Sequence, residues 1–222
     1  MSIDEALISF PDPRSSSFEG IVAVGGELNT ANLVRAYRMG IFPWPIDEHI
    51  LPWCCPEQRA VLEFNDLHVS RRLARIRRQT LFHFSIDESF EEVIFRCATI
   101  ERKEESGTWI TPRIVSAYCE LHRAGHAHSV EVWEGATLVG GLYGVDGGGA
   151  FSGESMFSDR SDASKLALLF LIEHLKQRGL DWMDIQVMSP HMKAFGAKEI
   201  DRSEFVERLS LAQNRNLVLF PL

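Results

Sequence analysis

The pattern of hydrophobic and polar positions divides the chain into an irregular first part and a regular remainder. Proline and tryptophan are frequent in the first sixty residues, where apolar positions show little period outside one helix predicted over 31–39. Asn29 or Thr30 is expected to cap this helix, because short polar side chains accept hydrogen bonds from the free N–H groups of a first turn. We therefore predict a small N-terminal lobe over residues 1–60 and a larger lobe over residues 61–222.

Periodicity is clearer between residues 59 and 125. Ser70, Ser89 and Thr111 are expected to cap three helices, and Glu92 completes a capping box with Ser89. The predicted elements are strand 59–64, helix 70–79, strand 81–86, a helix from residue 89 and helix 111–125.

Three β-rich runs over 127–133, 137–145 and 150–157 follow, divided by Glu134-Gly135 and Asp146-Gly147 turn signals. They predict an antiparallel meander. The final predicted elements are an apolar helix over 163–177, a strand over 182–188 and a short helix ending at 194. The order βββ-α-β is that of acyltransferase cores of the N-acetyltransferase type. We therefore predict an α+β fold, with the small N-terminal lobe beside a larger N-acetyltransferase-like (βββ-α-β) C-terminal lobe.

Composition places the chain among ordinary globular proteins. Its 222 residues are 45% hydrophobic and 24% charged, with a net charge of -8. This charge argues against a uniformly basic nucleic-acid binder but permits a local basic patch. There is no secretion signal pattern, and the longest apolar run, 166–172, is far shorter than the ~20 residues that cross a bilayer. We expect a cytoplasmic monomer without membrane association.

Four cysteines are scattered without a CxxC pair, at Cys54, Cys55, Cys97 and Cys119. Cytosolic thiols stay reduced, so we expect no disulfide. His126 and His128 lie two residues apart but lack a third candidate ligand. No metal site is predicted.

The predicted helix over 70–79 is strongly basic. Five of its residues are arginines and none is acidic. At helical spacing Arg71, Arg75 and Arg78 share a face, and guanidinium groups suit phosphate oxygens. A phosphate-binding patch is one interpretation, and a solvated surface helix paired with acids is the alternative.

Two tryptophans are predicted in loops. Trp44 lies between two prolines, and Trp109 precedes the predicted helix 111–125. Flat rings beside a basic groove suit the stacking of an unpaired base, although packing between lobes is the more common role of a lone tryptophan.

Three polar residues are predicted to lie close together among apolar strands. Glu154 lies among large apolar residues, and the period of two sends Asp184 and Gln186 to one face of the next strand. Two carboxylates and an amide can orient an amine nucleophile, whereas no G-x-S-x-G segment supports a serine triad. Structural hydrogen bonding is the alternative for Asp184 and Gln186.

The sequence resembles the bacterial leucyl/phenylalanyl-tRNA-protein transferases in blocks that span most of the chain in the family's order. These blocks are Val24-Gly-Gly-Glu-Leu28, Ala36-Tyr-Arg-Met-Gly-Ile-Phe-Pro-Trp44, Gly107-Thr-Trp-Ile-Thr111, Gly125-His-Ala-His-Ser-Val-Glu-Val-Trp133, Val139-Gly-Gly-Leu-Tyr-Gly-Val145, Gly153-Glu-Ser-Met-Phe-Ser158, Ala163-Ser-Lys165 and Asp184-Ile-Gln-Val187.

The resemblance implies transfer of Leu or Phe from aminoacyl-tRNA to the α-amino group of proteins that begin with Arg or Lys, which creates an N-terminal degradation signal. It also implies roles for residues, with Trp44 and Trp109 holding the terminal adenosine, Asp184 and Gln186 catalytic, and Glu154 organising the substrates. The ester is already activated, so no cofactor is expected. Candidate walls of the aminoacyl pocket are Leu142, Phe151, Leu171, Leu175, Met183 and Ile185, and candidate phosphate ligands are Arg71, Arg72, Arg75 and Arg78.

The chain departs from the family pattern at two places. Trp-Trp-Ser-Pro of the family is Trp53-Cys-Cys-Pro56 here, and Leu142, Leu171 and Leu175 replace Met and Phe. Smaller walls change the preference among side chains, so Met joins Leu and Phe as a candidate donor.

Two other functions fit parts of the sequence. An acetyl-CoA-dependent acetyltransferase shares the βββ-α-β order, but the segment 157–162 is acidic and has no glycine where that class binds pyrophosphate. A non-catalytic tRNA-binding module would use the same arginines and tryptophans. Turnover of acetyl-CoA without tRNA would indicate the acetyltransferase, and product formation distinguishes the transferase from the non-catalytic module.

Overall fold

The computed structural model describes residues 7–17, 19–46, 50–100 and 108–221. The strands are β1 (Ile21–Val24), β2 (Phe42–Pro43), β3 (Pro52–Cys54), β4 (Gln58–Glu63), β5 (His83–Ile86), β6 (Ala127–Glu134), β7 (Thr137–Asp146), β8 (Phe151–Ser158), β9 (Trp182–Gln186) and β10 (Lys198–Asp201). The α-helices are α1 (Thr30–Arg38), α2 (Arg71–Gln79), α3 (Phe90–Thr99), α4 (Pro112–Arg123), α5 (Ala163–Gln177), α6 (Pro190–Ala194) and α7 (Arg202–Asn214), and a short 3₁₀-helix spans Pro13–Ser15. The protein is therefore a mixed α+β structure.

The N-terminal part contains a three-stranded antiparallel sheet of order β1-β3-β2 beside α1. Trp53 is fully buried at its centre and donates a hydrogen bond from Nε1 to the carbonyl oxygen of Gly25 at 2.9 Å. Leu33 of α1 and Trp53 belong to the same buried cluster as Ile114 and Tyr118 of α4. This shared core fixes the small sheet against the larger part of the chain.

The larger part contains a seven-stranded sheet of order β10-β4-β9-β8-β7-β6-β5. Strands β6, β7 and β8 form the predicted antiparallel meander. β8 and β9 are parallel neighbours, and their register in the described chain pairs Ser152 with Asp184. Beyond this pair the two strands diverge, which leaves space between their carboxyl ends.

Helices cover both faces of the large sheet. Alternation along β7 directs Leu142 into the cluster that includes α5 and Tyr143 into the cluster that includes α3 and α4. In the described residues no helix is long and apolar enough to span a membrane.

Most predicted elements are confirmed, and the differences have local causes. Asn29, Ser70 and Thr111 cap α1, α2 and α4 through their side chains. The prediction of a capping box at Ser89 was wrong, since the side chain of Ser89 makes no cap hydrogen bond to α3. The strand predicted over 182–188 ends at Gln186, whose φ of 62° is incompatible with an extended chain.

Several elements have no counterpart in the sequence prediction. They are β1, β2, β3, β10 and α7. The strands among them have two to four residues, which is too short for a period to be recognised. The predicted lobe division at residue 60 falls within β4, and the position of that boundary stays a prediction.

Candidate active site

The main cavity has a volume of about 490 Å³ and lies where β8 and β9 diverge. Its walls come from both strands, from α5 and α6, and from the loops that precede β3 and α4. The lining residues include Trp44, Trp109, Leu142, Glu154, Met156, Leu168, Met183, Ile185, Gln186, His191 and Met192. The cavity thus has aromatic, apolar and polar wall sections.

The aromatic section consists of the two loop tryptophans. The rings of Trp44 and Trp109 stack with their centroids 5.8 Å apart and their planes 12° apart. Trp44 is 40% exposed, and its backbone N–H is held by the carbonyl oxygen of Pro52 at 2.9 Å. The structure thus brings the two loops together in the cavity that also contains Glu154 and Gln186, while the adenosine-binding role of the tryptophans stays a prediction.

The polar section is centred on Glu154. Oε1 of this carboxyl accepts hydrogen bonds from the hydroxyl of Tyr37 at 2.7 Å and from Nε2 of Gln186 at 2.6 Å. Burial, aided by the nearby charge of Asp184, raises the pKa of Glu154 to about 7 despite these hydrogen bonds and the positive charge of Arg59. Glu154 can therefore exchange a proton near neutral pH.

A pair of buried tyrosines lies beside Glu154. The hydroxyl of Tyr37, on α1, is in hydrogen-bond contact with the hydroxyl of Tyr118, on α4. Burial raises the pKa of both phenols well above the usual range, so they remain protonated. Sequence reasoning missed both residues, because they come from separate helices that only tertiary packing brings together.

Asp184 lies behind the polar section, in an ion pair with Arg59 that solvent barely reaches. The two side chains are 2% and 0% exposed. Arg59 donates from Nε to Oδ1 at 2.8 Å and from Nη2 to Oδ2 at 2.7 Å, and Ser152 donates its hydroxyl to Oδ2 at 2.8 Å. The guanidinium of Arg59 also stacks between the rings of Phe42 and Phe205. Asp184 is not among the residues that line the cavity.

Gln186 connects Asp184 to the cavity. Its φ of 62° costs a residue with a side chain about 1–2 kcal/mol. Its backbone N–H donates to Oδ1 of Asp184 at 2.9 Å, and this bond stabilises the unusual conformation. Asp184 and Gln186 therefore occupy different positions, since Asp184 holds the backbone and Gln186 directs its amide to Glu154.

The predicted apolar walls divide into two groups. Leu142, Met183 and Ile185 line the cavity. Phe151, Leu171 and Leu175 belong to the adjacent buried cluster and are not among the lining residues, so their role as walls stays a prediction. Four further lining residues, Met156, Leu168, His191 and Met192, were not predicted from the sequence. Of these, His191 has a buried Nε2 that finds no hydrogen-bond partner in the described chain.

The basic helix α2 has two kinds of arginine. Arg72 pairs with Asp162 at 2.7 Å, and Arg77 pairs with Glu173. Arg71, Arg75 and Arg78 are exposed, and the structure shows no ion pair for them with a described carboxylate. The unpaired arginines are the three that were predicted to share a face.

The main cavity combines stacked aromatic rings, apolar walls and a carboxyl that can exchange a proton, and such a site fits an enzyme that transfers a group by general acid–base catalysis. A family model described as leucyl/phenylalanyl-tRNA protein transferase matches residues 61–210, and the model of that family's N-terminal domain matches residues 26–57. The chain belongs to the leucyl/phenylalanyl-tRNA-protein transferase family. The predicted family and the prediction of a transferase enzyme are thereby confirmed.

Curated relatives agree with the family match. The protein named leucyl/phenylalanyl-tRNA-protein transferase of Anaeromyxobacter sp. strain Fw109-5 is 48% identical over 94% of this chain and 88% of the relative. Proteins of the same name from Idiomarina loihiensis and Flavobacterium psychrophilum are each 42% identical, over 98% and 91% of this chain and 92% and 96% of the relatives.

Proposed function

We propose that the protein transfers Leu or Phe from aminoacyl-tRNA to the α-amino group of proteins with an N-terminal Arg or Lys, creating a degradation signal. Aminoacyl transfer to proteins is what family membership supports. The observation that carries the finer proposal is that one cavity contains the Trp44–Trp109 stack, apolar walls and the Glu154–Gln186 pair.

The aromatic section is proposed to hold the terminal adenosine of the donor tRNA. A base stacked on an exposed indole gains about 1–3 kcal/mol without sequence-specific hydrogen bonds. The apolar wall then faces the aminoacyl side chain. Met156, Met183 and Met192 are unbranched and adaptable, so this wall accepts Leu and Phe and makes Met a further candidate.

The polar section is proposed to handle the incoming amine. The amine nitrogen forms the new bond to the ester carbonyl carbon, and the bond to the ribose oxygen breaks. Gln186 donates its N–H to Glu154, so its carbonyl oxygen is free to accept an N–H from the amine. Glu154 takes the proton that the amine loses and returns it to the departing ribose oxygen. The aminoacyl ester of tRNA is already activated, so its transfer requires positioning and proton transfer rather than a cofactor.

Asp184 is proposed to act through Gln186. Its carboxylate oxygens are occupied by Arg59, Ser152 and the backbone of Gln186, which leaves Glu154 as the carboxyl that faces the cavity. Asp184 is therefore a positioning residue. From the sequence alone, Gln186 was read as the guide of the amine and Asp184 as the carboxylate that polarises it and receives the proton; here the proton passes to Glu154 instead.

The fold of the larger lobe and the basic helix α2 favour tRNA over coenzyme A as the carrier of the transferred group. The meander, α5 and the diverging parallel pair β8 and β9 support an N-acetyltransferase-like lobe. The N-terminus of α5, where acetyltransferases bind pyrophosphate, has the carboxylate of Asp162 bonded to Arg72 and Lys165. This arrangement disfavours coenzyme A. Arg71, Arg75 and Arg78 are the proposed contacts to tRNA phosphates.

The test supplies radiolabelled leucyl-tRNA and peptides that begin with Arg, Lys or Ala. We expect label to enter the Arg and Lys peptides and not the Ala peptide. Label in all three would contradict the acceptor preference, and transfer from acetyl-CoA without tRNA would contradict the proposed reaction.

A further inference from the structure

A second cavity of about 290 Å³ lies between the N-terminal sheet region and the start of α4. Its walls come from the segment that leads into α1, from residues on either side of the 46–50 segment, and from the first turn of α4. The lining residues are Leu28, Pro45, Leu51, Thr111, Pro112, Arg113 and Ile114. None of them lines the main cavity.

The two cavities are lined by neighbouring residues of the same chain segments. Pro45 directly follows Trp44, and Thr111 comes two residues after Trp109. The segments that present the stacked rings to the main cavity therefore also form the second one. A polymer whose terminal unit rests on these rings must continue past them, because neighbouring nucleotides are joined by one phosphodiester.

The lining of the second cavity suits a nucleotide. Leu28 is half-buried and can contact a base, while Leu51 and Ile114 are buried residues of the same apolar wall. The volume lies near the lower end of the ~300–1,000 Å³ typical of small-molecule sites. The charge of Arg113 is available at the opening. Arg113 is exposed, its guanidinium makes a 3.5 Å contact from Nη2 to the carbonyl oxygen of Gly26, and no carboxylate of the described chain forms an ion pair with it.

We propose that this second cavity binds the nucleotide that precedes the terminal adenosine of the donor, with Arg113 contacting the connecting phosphate. The inference rests on the proposed function and adds a binding site to it. The positive charge favours a nucleic acid over the acceptor protein, since an acceptor that begins with Arg or Lys carries positive charge itself. Arginine binds phosphate oxygens with two parallel N–H groups, which fixes the register of the strand.

The experiment compares two minimal donors, the phenylalanyl ester of adenosine and the phenylalanyl ester of cytidylyl-(3′,5′)-adenosine, with a peptide that begins with Arg as acceptor. On the unchanged protein we expect the KM of the dinucleotide donor to be about tenfold lower than that of the adenosine donor, because the added base contacts the apolar wall and the added phosphate contacts Arg113. Equal KM values for the two donors would overturn the proposal.

Two variants locate the effect. Arg113→Ala is expected to remove most of the advantage of the dinucleotide donor and to leave the KM of the adenosine donor unchanged. Leu28→Trp, which fills a half-buried wall position, should do the same. Arg123→Ala is the matched control, because Arg123 lies exposed at the other end of α4 in an ion pair with Glu91. An increase in the KM of the acceptor peptide instead would assign the cavity to the acceptor and overturn the proposal.

Calorimetry with adenosine and with unesterified cytidylyl-adenosine separates this inference from the proposed function. If neither ester reacts, the proposed function fails, yet tighter binding of the dinucleotide that depends on Arg113 still supports the nucleotide site. Equal binding of both compounds overturns it.

Discussion

The polar and the aromatic sections of the main cavity are built in different ways. Glu154 and Gln186 are held by Tyr37, Asp184 and Arg59 through hydrogen bonds inside the protein. The tryptophans extend from loops, and Trp44 is partly exposed. Proton transfer depends on exact placement, whereas base stacking tolerates small displacements. Changes in the polar section should therefore alter turnover, and changes in the aromatic section should alter donor binding.

The largest effect is expected at Gln186. Gln186→Ala removes the amide that receives the amine, so kcat should fall by about 10²–10⁴-fold while the KM for aminoacyl-tRNA stays nearly constant. Steady-state transfer assays measure both constants. Gln177→Ala, at an exposed position of α5, is the control. A change confined to KM would contradict the division between the two sections.

Breaking the buried ion pair should affect both stability and turnover. Arg59→Met leaves the carboxylate of Asp184 without its partner, and we expect the free energy of unfolding to fall by about 3–5 kcal/mol in urea titrations. Arg14→Met, which disrupts an exposed pair with Asp12, should leave the urea midpoint unchanged.

A double variant separates stability from turnover in the same region. Arg59→Met combined with Asp184→Leu should recover much of the lost stability, because no unpaired charge remains buried. Turnover should stay low, since Gln186 no longer has a carboxylate to accept its backbone N–H. Recovery of normal kcat would remove the positioning role from Asp184.

Changes in the aromatic section should alter the binding of the donor. Trp109→Ala is expected to raise the KM for the donor about 5–150-fold, the equivalent of about 1–3 kcal/mol, with kcat little changed. Trp109→Phe retains a flat ring and should recover most of the affinity. Unfolding of the alanine variant, detected by circular dichroism, would favour a packing role instead.

The pH dependence should report on Glu154. A base acts in its deprotonated form, so kcat/KM is expected to rise as the pH increases through about 7, the pKa to which burial raises this carboxyl. The Glu154→Gln variant should lose this inflection together with most of its activity. An unchanged inflection in the variant would assign it to another group.

The smallest effect is expected from the basic helix. Replacing Arg71, Arg75 and Arg78 by Ala should weaken tRNA binding and flatten its salt dependence, because fewer counterions are released. The Arg72→Ala, Arg77→Ala double variant should change the salt slope less, since these arginines already pair with carboxylates. Equal slopes for all proteins would identify α2 as a solvated surface.

The sequence predicted the elements whose signals are local. The apolar run of α5 and the turn signals between β6, β7 and β8 were sufficient for the helix and the meander. Strand β10 was missed, because only Ile200 of its four residues is buried and an edge strand carries little pattern.

The candidate site was partly predictable for the same reason. Trp44, Glu154 and Gln186 were found from the residues and the family resemblance. Arg59 was not, because it lies 125 residues from Asp184 and nothing near it in the sequence signals a buried charge. The left-handed conformation of Gln186 was also unpredictable, since the carboxylate that accepts its N–H, that of Asp184 two residues earlier, is held in place by Arg59 and Ser152 from distant parts of the chain.

The most direct test of the two-section cavity is a crystal structure with a non-hydrolysable amide of phenylalanine and adenosine. We expect adenine to stack on Trp44 or Trp109, the phenyl ring to contact Met183 or Ile185, and the acyl carbon to lie beside Gln186. Adenine bound away from both tryptophans, or an acyl carbon remote from Gln186 and Glu154, would contradict it.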